Sequence, residues 1–249
     1  MRLKNKTALV TGGTRGIGRA VAQAFAHEGA KVYIVGYQGR KLLDETIYNI
    51  QKEGGEAYGG LFDVSSESDV KLLFKEIDDI FGSLDILVNN AGIIKPKSFV
   101  DLAFEEWQKT LNVHLNGSFL CTHYAVKRYM LDKNEGKIIN LAAPAAFKGS
   151  IGVVDYASAK GGIVSFTKNV AKELILYNIQ VNAVLPVAST RMTEALSEFY
   201  KAQFGSDYAD YLEKLPPPET VAPIFLFLAS KDSDYVTGQV IAADGGLTI

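Results

Sequence analysis

The sequence has 249 residues, 47% of them hydrophobic, and a formal net charge of −2 at pH 7. This length and this apolar fraction allow one large α/β domain or two small ones around an ample core. The near-zero net charge argues against the basic surface of a nucleic-acid-binding protein and against a polybasic membrane-binding face.

Cysteine content and hydropathy predict where the protein resides. The single cysteine, Cys121, cannot form an internal disulfide, which favours a reducing compartment. No apolar run reaches the ~18 residues of a membrane span, and no signal-peptide-like segment precedes the first apolar run. We therefore expect a cytoplasmic protein that binds neither a membrane nor a nucleic acid.

Short apolar runs alternate with helix-length amphipathic segments along the whole chain. We expect strands near residues 8–10, 32–35, 57–62, 86–88, 137–141, 180–185 and 239–242. We expect helices near residues 16–28, 40–53, 67–81, 104–131, 156–176 and 219–229. This alternation predicts an α/β fold in which about seven parallel strands form a Rossmann-type, doubly wound sheet with helices on both faces. Since no linker or repeat interrupts the pattern, residues 1–249 are predicted to form one domain.

A glycine-rich turn follows the first predicted strand and opens the first predicted helix. It reads Thr11-Gly12-Gly13-Thr14-Arg15-Gly16-Ile17-Gly18. Glycines permit positive φ and let the backbone approach a ligand closely. The helix that follows directs free N–H groups and its positive dipole end at a phosphate. The spacing is longer than the usual Gly-x-Gly-x-x-Gly pattern, so a turn without a ligand is an equal alternative on this motif alone.

The end of the second predicted strand indicates which dinucleotide binds. An acidic residue about 20 positions past the glycines normally binds the ribose 2′-hydroxyl. Residues 35–41 contain no Asp or Glu, but they contain Arg40 and Lys41, and Arg15 lies in the glycine turn. A guanidinium can bind a 2′-phosphate through two hydrogen bonds. The sequence therefore favours NADP(H); NAD(H) remains possible if Arg40 and Lys41 are merely solvated on the next helix.

Polar and small residues follow the next two predicted strands. Asp63 could accept a hydrogen bond from an adenine amino group, or it could cap the helix that begins near residue 67. The run Asn89-Asn90-Ala91-Gly92 suits a crevice where a ligand lies against the backbone, and a structural turn explains it equally well.

In combination, these motifs resemble the short-chain dehydrogenase/reductase family, and within it the 3-oxoacyl-thioester reductases. The motifs are the glycine turn, Asp63-Val64, Asn89-Asn90-Ala91-Gly92, Tyr156-Ala-Ser-Ala-Lys160 and Asp244-Gly-Gly. The resemblance covers essentially the whole chain. It implies hydride transfer between nicotinamide and a carbonyl or secondary alcohol. It also implies that Tyr156 is the general acid/base and that Lys160 lowers its pKa and binds the nicotinamide ribose.

The spacing of Tyr156 and Lys160 supports that role independently. Residues four apart share one face of a helix. A nearby ammonium favours the phenolate and would move the pKa of the phenol, ordinarily about 10, toward neutrality. An alkoxide formed by hydride transfer needs the proton that the phenol can donate.

Two positions depart from the pattern that the resemblance implies. The family's serine, about thirteen residues before the tyrosine, is Ala143 here, and losing such a donor costs ~3–4 kcal/mol of transition-state stabilisation. The family's asparagine, which anchors a water, is His114 here, and an imidazole could do related work. Two alternatives stay open: His114 is a core residue, or a one-turn slip restores Asn112 or Asn116.

The remaining site residues follow from the resemblance. Pro186 ends the sixth strand near the nicotinamide, Val187 replaces a family glycine, and Thr190 contacts the carboxamide or a phosphate. The predicted catalytic residues are Tyr156, Lys160 and His114, and Ala143 and Val187 belong to the substrate pocket. The predicted cofactor-binding residues are Gly12, Thr14, Arg15, Gly16, Ile17, Gly18, Tyr37, Arg40, Asp63, Val64, Asn90, Ala91, Gly92, Tyr156, Lys160, Pro186 and Thr190.

Three further expectations concern the surroundings of the site. The resemblance implies that a flap near residues 188–215 covers the substrate. The flap carries Phe199, Tyr200, Phe204, Tyr208 and Tyr211, and simple packing explains these aromatic side chains equally well. His27, Cys121 and His123 form no metal-ligand pattern, so no metal is predicted. The helices near residues 104–131 and 156–176 are apolar on more than one face, which together with the resemblance predicts a homo-oligomer, a tetramer or a dimer.

One alternative function remains open on the sequence. Because Ala143 removes a hydroxyl that the family uses, the protein could bind the nucleotide and show weak or no redox turnover.

Overall fold

The strands of the chain pair into one parallel sheet. The computed structural model describes the backbone of residues 1–249 and every side chain except that of Tyr208, one of the aromatic residues predicted for the flap. Over the described residues seven strands pair in the order β3-β2-β1-β4-β5-β6-β7, which confirms the predicted fold class. The strands are β1 (Thr7–Thr11), β2 (Lys31–Gly36), β3 (Glu56–Leu61), β4 (Ile86–Asn89), β5 (Gly136–Leu141), β6 (Ile179–Pro186) and β7 (Val240–Ala243).

Helices connect the strands and cover both faces of the sheet. They are α1 (Gly16–His27), α2 (Arg40–Lys52), α3 (Glu67–Phe81), α4 (Phe104–Leu111), α5 (Gly117–Ala125), α6 (Leu131–Lys133), α7 (Ala145–Lys148), α8 (Val154–Leu174), α9 (Arg191–Phe204), α10 (Asp210–Glu213) and α11 (Ala222–Ala229). Two π-helical segments, Asn112–Asn116 and Val126–Met130, join α4, α5 and α6. This continuous helical run corresponds to the single long helix predicted there. None of the described helices is both long and apolar enough to cross a membrane.

The order of the strands places a crevice at the centre of the sheet. β1 pairs with β2 on one side and with β4 on the other, both in parallel. The chain therefore winds outward in opposite directions from β1 and from β4. In open α/β sheets ligands bind beside the carboxyl ends of the strands at such a reversal.

The core lies on both faces of the sheet because successive residues of a strand point to opposite sides. Val10 and Ile34 pack with Phe25 of α1 in one apolar cluster. Leu9 and Tyr33 pack in another cluster on the opposite face. Strands buried on both faces read as nearly continuous apolar runs, as the sequence has them. The core therefore fixes the carboxyl ends of the strands, from which the site residues extend.

Candidate active site

A cavity of about 1160 Å³ runs along the carboxyl ends of the strands. Its wall includes residues that follow β1, β2, β3, β4, β5 and β6, such as Gly12, Asp63, Asn90 and Ala143. Every residue predicted for the site lines this cavity except Gly18 and Arg40. The structure thus brings together residues that are far apart in the sequence.

The turn after β1 depends on glycine in two different ways. Gly12 and Gly16 have φ values of +65° and +54°, a conformation that favours glycine. Gly18 instead lies behind the turn, where a Cβ would be 2.3 Å from Asn90 Nδ2 and 2.4 Å from the Gly12 carbonyl oxygen. Gly18 therefore permits α1 to pack closely on the turn and takes no direct part in the cavity wall.

Asn90 fixes the glycine turn to the neighbouring strand. Its Nδ2 donates to the carbonyl oxygens of Thr11 and Gly12 at 2.8 and 3.0 Å. The backbone N–H groups of Asn90 and Ala91 both donate to Thr11 Oγ1 at 3.0 Å. The side-chain amide of Asn90 is therefore committed to the protein backbone, and its part in the site is to hold the turn in shape.

Asp63 organises the loop after β3. Its Oδ1 accepts hydrogen bonds from the Ser65 backbone N–H at 2.8 Å and from Ser65 Oγ at 2.6 Å. The residue that caps α3 is Ser66, whose Oγ accepts from the Asp69 N–H. The alternative in which Asp63 caps this helix is therefore wrong, because the chain makes one more turn before the helix begins.

The basic residues predicted for a 2′-phosphate occupy different surroundings. Arg40 is the first residue of α2, where its guanidinium is exposed and lies 3.9 Å from Asp44 one turn along the helix. It does not line the cavity, whereas Arg15 does. Thr14 brings the turn against the end of β2, since a Cβ on Gly36 would lie 2.8 Å from Thr14 Cγ2. Of these two arginines, Arg15 is therefore the one that the fold places in the cavity wall.

Tyr156 and Lys160 lie in the first turns of α8. The Lys160 ammonium donates to the carbonyl oxygen of Leu141 at 2.7 Å and lies 5.6 Å from the centroid of the Tyr156 ring. Burial raises the pKa of Tyr156 to about 12 and lowers the pKa of Lys160 to about 7. Loss of hydration disfavours the charged form of each group, so the pKa of Tyr156 lies above its ordinary value and not below it as the spacing predicted.

His114 is buried in the π-helical segment beside Tyr156. Its ring meets the Tyr156 ring edge to face, with centroids 5.2 Å apart. Nε2 lies 2.7 Å from the Ile93 carbonyl oxygen, and Nδ1 has no partner among the described residues. Burial, with a smaller contribution from nearby Lys160, lowers the pKa of His114 to about 3. The imidazole is therefore neutral at neutral pH.

The neighbouring asparagines are solvent-exposed, and Asn112 also lines the cavity. Asn112 and Asn116 are both exposed, and Asn116 Nδ2 donates to Asn112 Oδ1 at 2.7 Å. His114 is therefore the residue of this segment that packs against Tyr156. The π-helical turn is the local feature that brings it there, and π turns inside helices often occur at functional sites.

The cavity wall after β5 carries an alanine at the position where the resemblance implies a serine. Ala143 is buried and lines the cavity after β5. Ser150 also lines the cavity, but its Oγ hydrogen-bonds to the Tyr200 hydroxyl at 2.6 Å. Val187 follows β6, and its N–H donates to the Ala243 carbonyl oxygen at 3.0 Å.

The segment predicted as a flap contributes α9 and α10 to the cavity wall. Thr190 caps α9, and a Cβ on Gly16 would lie 3.4 Å from Thr190 Cγ2, so α9 begins against the glycine turn. Farther along, Phe199 occupies the space above Gly152, where a Cβ would lie 2.4 Å from its ring. Leu196 of α9 and Leu212 of α10 also line the cavity.

Sequence reasoning missed several residues of the wall. Arg191 follows Thr190 directly and lines the cavity, and Ile93 and Ile94 follow the predicted run 89–92. The sequence could have indicated these residues only through their position, since each lies within two residues of a predicted site residue. Among the described side chains, no group of three His, Cys, Asp or Glu could hold a metal ion.

Known oxidoreductases are similar to this chain in sequence and in fold. Residues 12–248 match a family described as enoyl-(acyl carrier protein) reductase. The 3-oxoacyl-[acyl-carrier-protein] reductase of Aquifex aeolicus is 40% identical over 250 residues, with 99% of each chain covered. The 3-oxoacyl-[acyl-carrier-protein] reductase of Thermotoga maritima is 39% identical, with 100% of each chain covered. The crystal structure of levodione reductase has a TM-score of 0.93 at 29% identity, with 99% of each chain covered.

Proposed function

We propose that this chain, which belongs to the short-chain dehydrogenase/reductase family, is an NADP(H)-dependent oxidoreductase that interconverts a ketone and a secondary alcohol. A 3-oxoacyl thioester or a related ketone is the proposed substrate, since the relatives from Aquifex and Thermotoga are 3-oxoacyl-[acyl-carrier-protein] reductases. The observation that carries the proposal is the presence of Tyr156 and Lys160 in the wall of a cavity that begins at the glycine turn.

The residues of the cavity fit a nicotinamide dinucleotide. The turn at Gly12 and Gly16 precedes the N-terminus of α1, an arrangement that suits a pyrophosphate. The cavity exceeds the upper end of typical ligand pockets, about 1,000 Å³, as an extended dinucleotide with a substrate requires. When bound, the nicotinamide supplies or accepts the hydride. The turn, Arg15 and Lys160 are the proposed holding residues.

Tyr156 is the proposed proton donor to the oxygen of the reduced carbonyl. A phenol whose pKa lies near 12 is protonated at neutral pH, which is the form that reduction needs. Lys160 is the proposed partner for the ribose, with its ammonium oriented by the Leu141 carbonyl oxygen. His114 is proposed as a site-lining residue that positions the Tyr156 ring, because a neutral imidazole with a pKa near 3 is a poor proton donor.

NADP(H) is the proposed dinucleotide, with NAD(H) as the second possibility. No carboxylate stands at the end of β2, where one would repel a 2′-phosphate. We assign the 2′-phosphate to Arg15 in preference to Arg40, because Arg15 lines the cavity and Arg40 is paired with Asp44 outside it.

The function is tested by following NADPH oxidation with a panel of 3-oxoacyl thioesters and cyclic ketones. We expect at least one thioester or ketone to be reduced with saturation kinetics, and NADPH to be preferred over NADH. The proposal fails if NADPH binds and no member of the panel is reduced above the rate without protein.

Ala143 favours a second candidate function, a nucleotide-binding protein with little redox turnover. It rests on the absence of a hydroxyl at this buried position of the wall. A single donor of this kind contributes 10²–10³ in rate, so we expect Ala143→Ser to raise kcat about tenfold or more. Ala145→Ser, on a neighbouring alanine that also lines the cavity, is the matched control and should leave kcat unchanged. Turnover present only in Ala143→Ser would establish the second candidate, whereas robust wild-type turnover rejects it.

A homo-oligomer, tetramer or dimer, is proposed for the assembly. Phe104 of α4 and Phe119 of α5 have exposed fractions of 66% and 50%, which supports a further partner for these helices. The cytoplasmic location remains a prediction of the sequence.

A further inference from the structure

The arginines of the chain fall into two groups with different surroundings. Those in ion pairs with carboxylates are Arg2, Arg40 and Arg128. Those without a carboxylate partner among the described residues all line the cavity: Arg15, Arg19 and Arg191. Together these two groups account for every arginine in the sequence. Guanidinium groups that line one cavity and form no ion pair with a carboxylate indicate that the cavity receives an anion.

Arg191 comes from a different part of the fold than the other two. Arg15 directly precedes α1 and Arg19 lies within it, whereas Arg191 is the first residue of α9 in the flap. The start of α9 lies against the glycine turn, because Thr190 Cγ2 is only 3.4 Å from where a Gly16 Cβ would be. The Arg15 and Arg191 guanidinia are close enough to repel each other, which adds to burial in lowering the pKa of Arg15.

We propose that Arg191 is a second cation for the pyrophosphate of the bound dinucleotide, contributed by the flap from across the glycine turn. This inference rests on the proposed function. The pyrophosphate is preferred to the 2′-phosphate because Thr190, which directly precedes Arg191, adjoins Gly16 at the helix N-terminus that a pyrophosphate occupies in dinucleotide folds. In dinucleotide folds the ribose that would carry the 2′-phosphate binds beside the end of the second strand, where Tyr37 lines the cavity in this chain.

A pyrophosphate between the two guanidinia also explains their unpaired state. A phosphate oxygen can accept hydrogen bonds from both guanidinium groups, and its charge compensates their mutual repulsion. Because NADPH and NADH carry the same pyrophosphate, Arg191 should matter equally for both. Arg15, which is also assigned to the 2′-phosphate, should matter for both nucleotides and more strongly for NADPH.

The experiment measures dissociation constants of NADPH and NADH by nucleotide fluorescence with the full-length protein. A charge-assisted hydrogen bond contributes ~1.5–3 kcal/mol, so we expect Arg191→Ala to raise both dissociation constants about tenfold or more. Arg15→Ala should raise the constant for NADPH by a larger factor than that for NADH, because it removes a contact to the 2′-phosphate as well as one to the pyrophosphate. Arg191→Lys should lie between wild type and Arg191→Ala for both nucleotides.

The matched control is Lys201→Ala, a cation on the same helix that pairs with Glu213 and does not line the cavity. It should leave both constants unchanged, and an unaltered thermal unfolding midpoint shows that each variant is folded. Unchanged affinity in folded Arg191→Ala overturns the inference, as does a loss confined to NADPH or to an anionic substrate. If the wild-type protein binds neither dinucleotide, the proposed function itself fails. If the wild type binds both and folded Arg191→Ala binds them equally well, only the inference about Arg191 fails.

Discussion

Replacing Tyr156 with Phe is expected to lower kcat/KM for ketone reduction about 1,000-fold, within the 10²–10⁴ range of general acid catalysis. The change removes one hydroxyl and keeps the ring, so the edge-to-face contact with His114 persists. The Lys160 ammonium also keeps its bond to the Leu141 carbonyl oxygen. The variant therefore isolates proton donation from the packing of the site.

The measurement pairs steady-state reduction with NADPH binding. The dissociation constant of NADPH should stay within about threefold of wild type, because the phenol contributes at most one neutral hydrogen bond to it. Tyr129→Phe is the matched control: its hydroxyl is also hydrogen-bonded, to Phe74 and Asp78, but it does not line the cavity. Equal reduction rates in wild type and Tyr156→Phe would remove Tyr156 from the mechanism.

The direction of catalysis bears on the same residue. Reduction uses the protonated phenol, whereas oxidation of the alcohol needs the phenolate. Since burial raises the pKa of Tyr156 to about 12, the protonated form, which can donate, predominates at neutral pH. A bound ligand that brings a charge near the phenol would also shift the pKa of Tyr156.

The parts of the site that the sequence predicted are those set by local pattern. The glycine turn, the run Asn89-Asn90-Ala91-Gly92 and the pair Tyr156 and Lys160 each lie at the end of an element whose periodicity is strong. Parallel strands bring their carboxyl ends to one edge of the sheet, so alternation alone predicts that these motifs converge. The seven-strand order confirms this step.

The parts that the sequence did not predict depend on the direction of individual side chains. The sequence alone does not distinguish Arg15 from Arg40 as the residue that binds the 2′-phosphate. In the structure Arg40 lies at the start of α2, exposed on the surface beside Asp44. The shift in the Tyr156 pKa depends on how completely other elements exclude water from the phenol, and spacing to Lys160 carries no information on that. The sequence predicts that Gly18 contacts the ligand, whereas it lies against Asn90 and Gly12. Close packing of a helix on a turn and close approach of a ligand both require glycine, so the sequence does not distinguish them.

His114 and Gly92 provide the second large effect, a loss of stability. Gly92→Ala is expected to lower the free energy of unfolding by about 3 kcal/mol, at the upper end of overpacking costs. A Cβ at this position would lie 2.3 Å from His114 Cε1, and its three nearest atoms all belong to that imidazole. The His114 ring cannot easily move, because its Nε2 is hydrogen-bonded to the backbone of Ile93 and the ring also packs against Tyr156.

The test is a double-mutant cycle in urea, since residues in contact are expected to deviate from additivity. His114→Asn replaces the ring with a shorter side chain, so Gly92→Ala in that background should cost below about 1 kcal/mol, a coupling of roughly 2 kcal/mol. Additive costs would mean that the imidazole is not the obstacle and that the backbone after β4 rejects the methyl group for another reason. Because the clash would also displace the ring from Tyr156, folded Gly92→Ala should lose kcat, and His114→Asn should restore part of it. Such a restoration would show that the activity lost in Gly92→Ala is lost through the displaced imidazole.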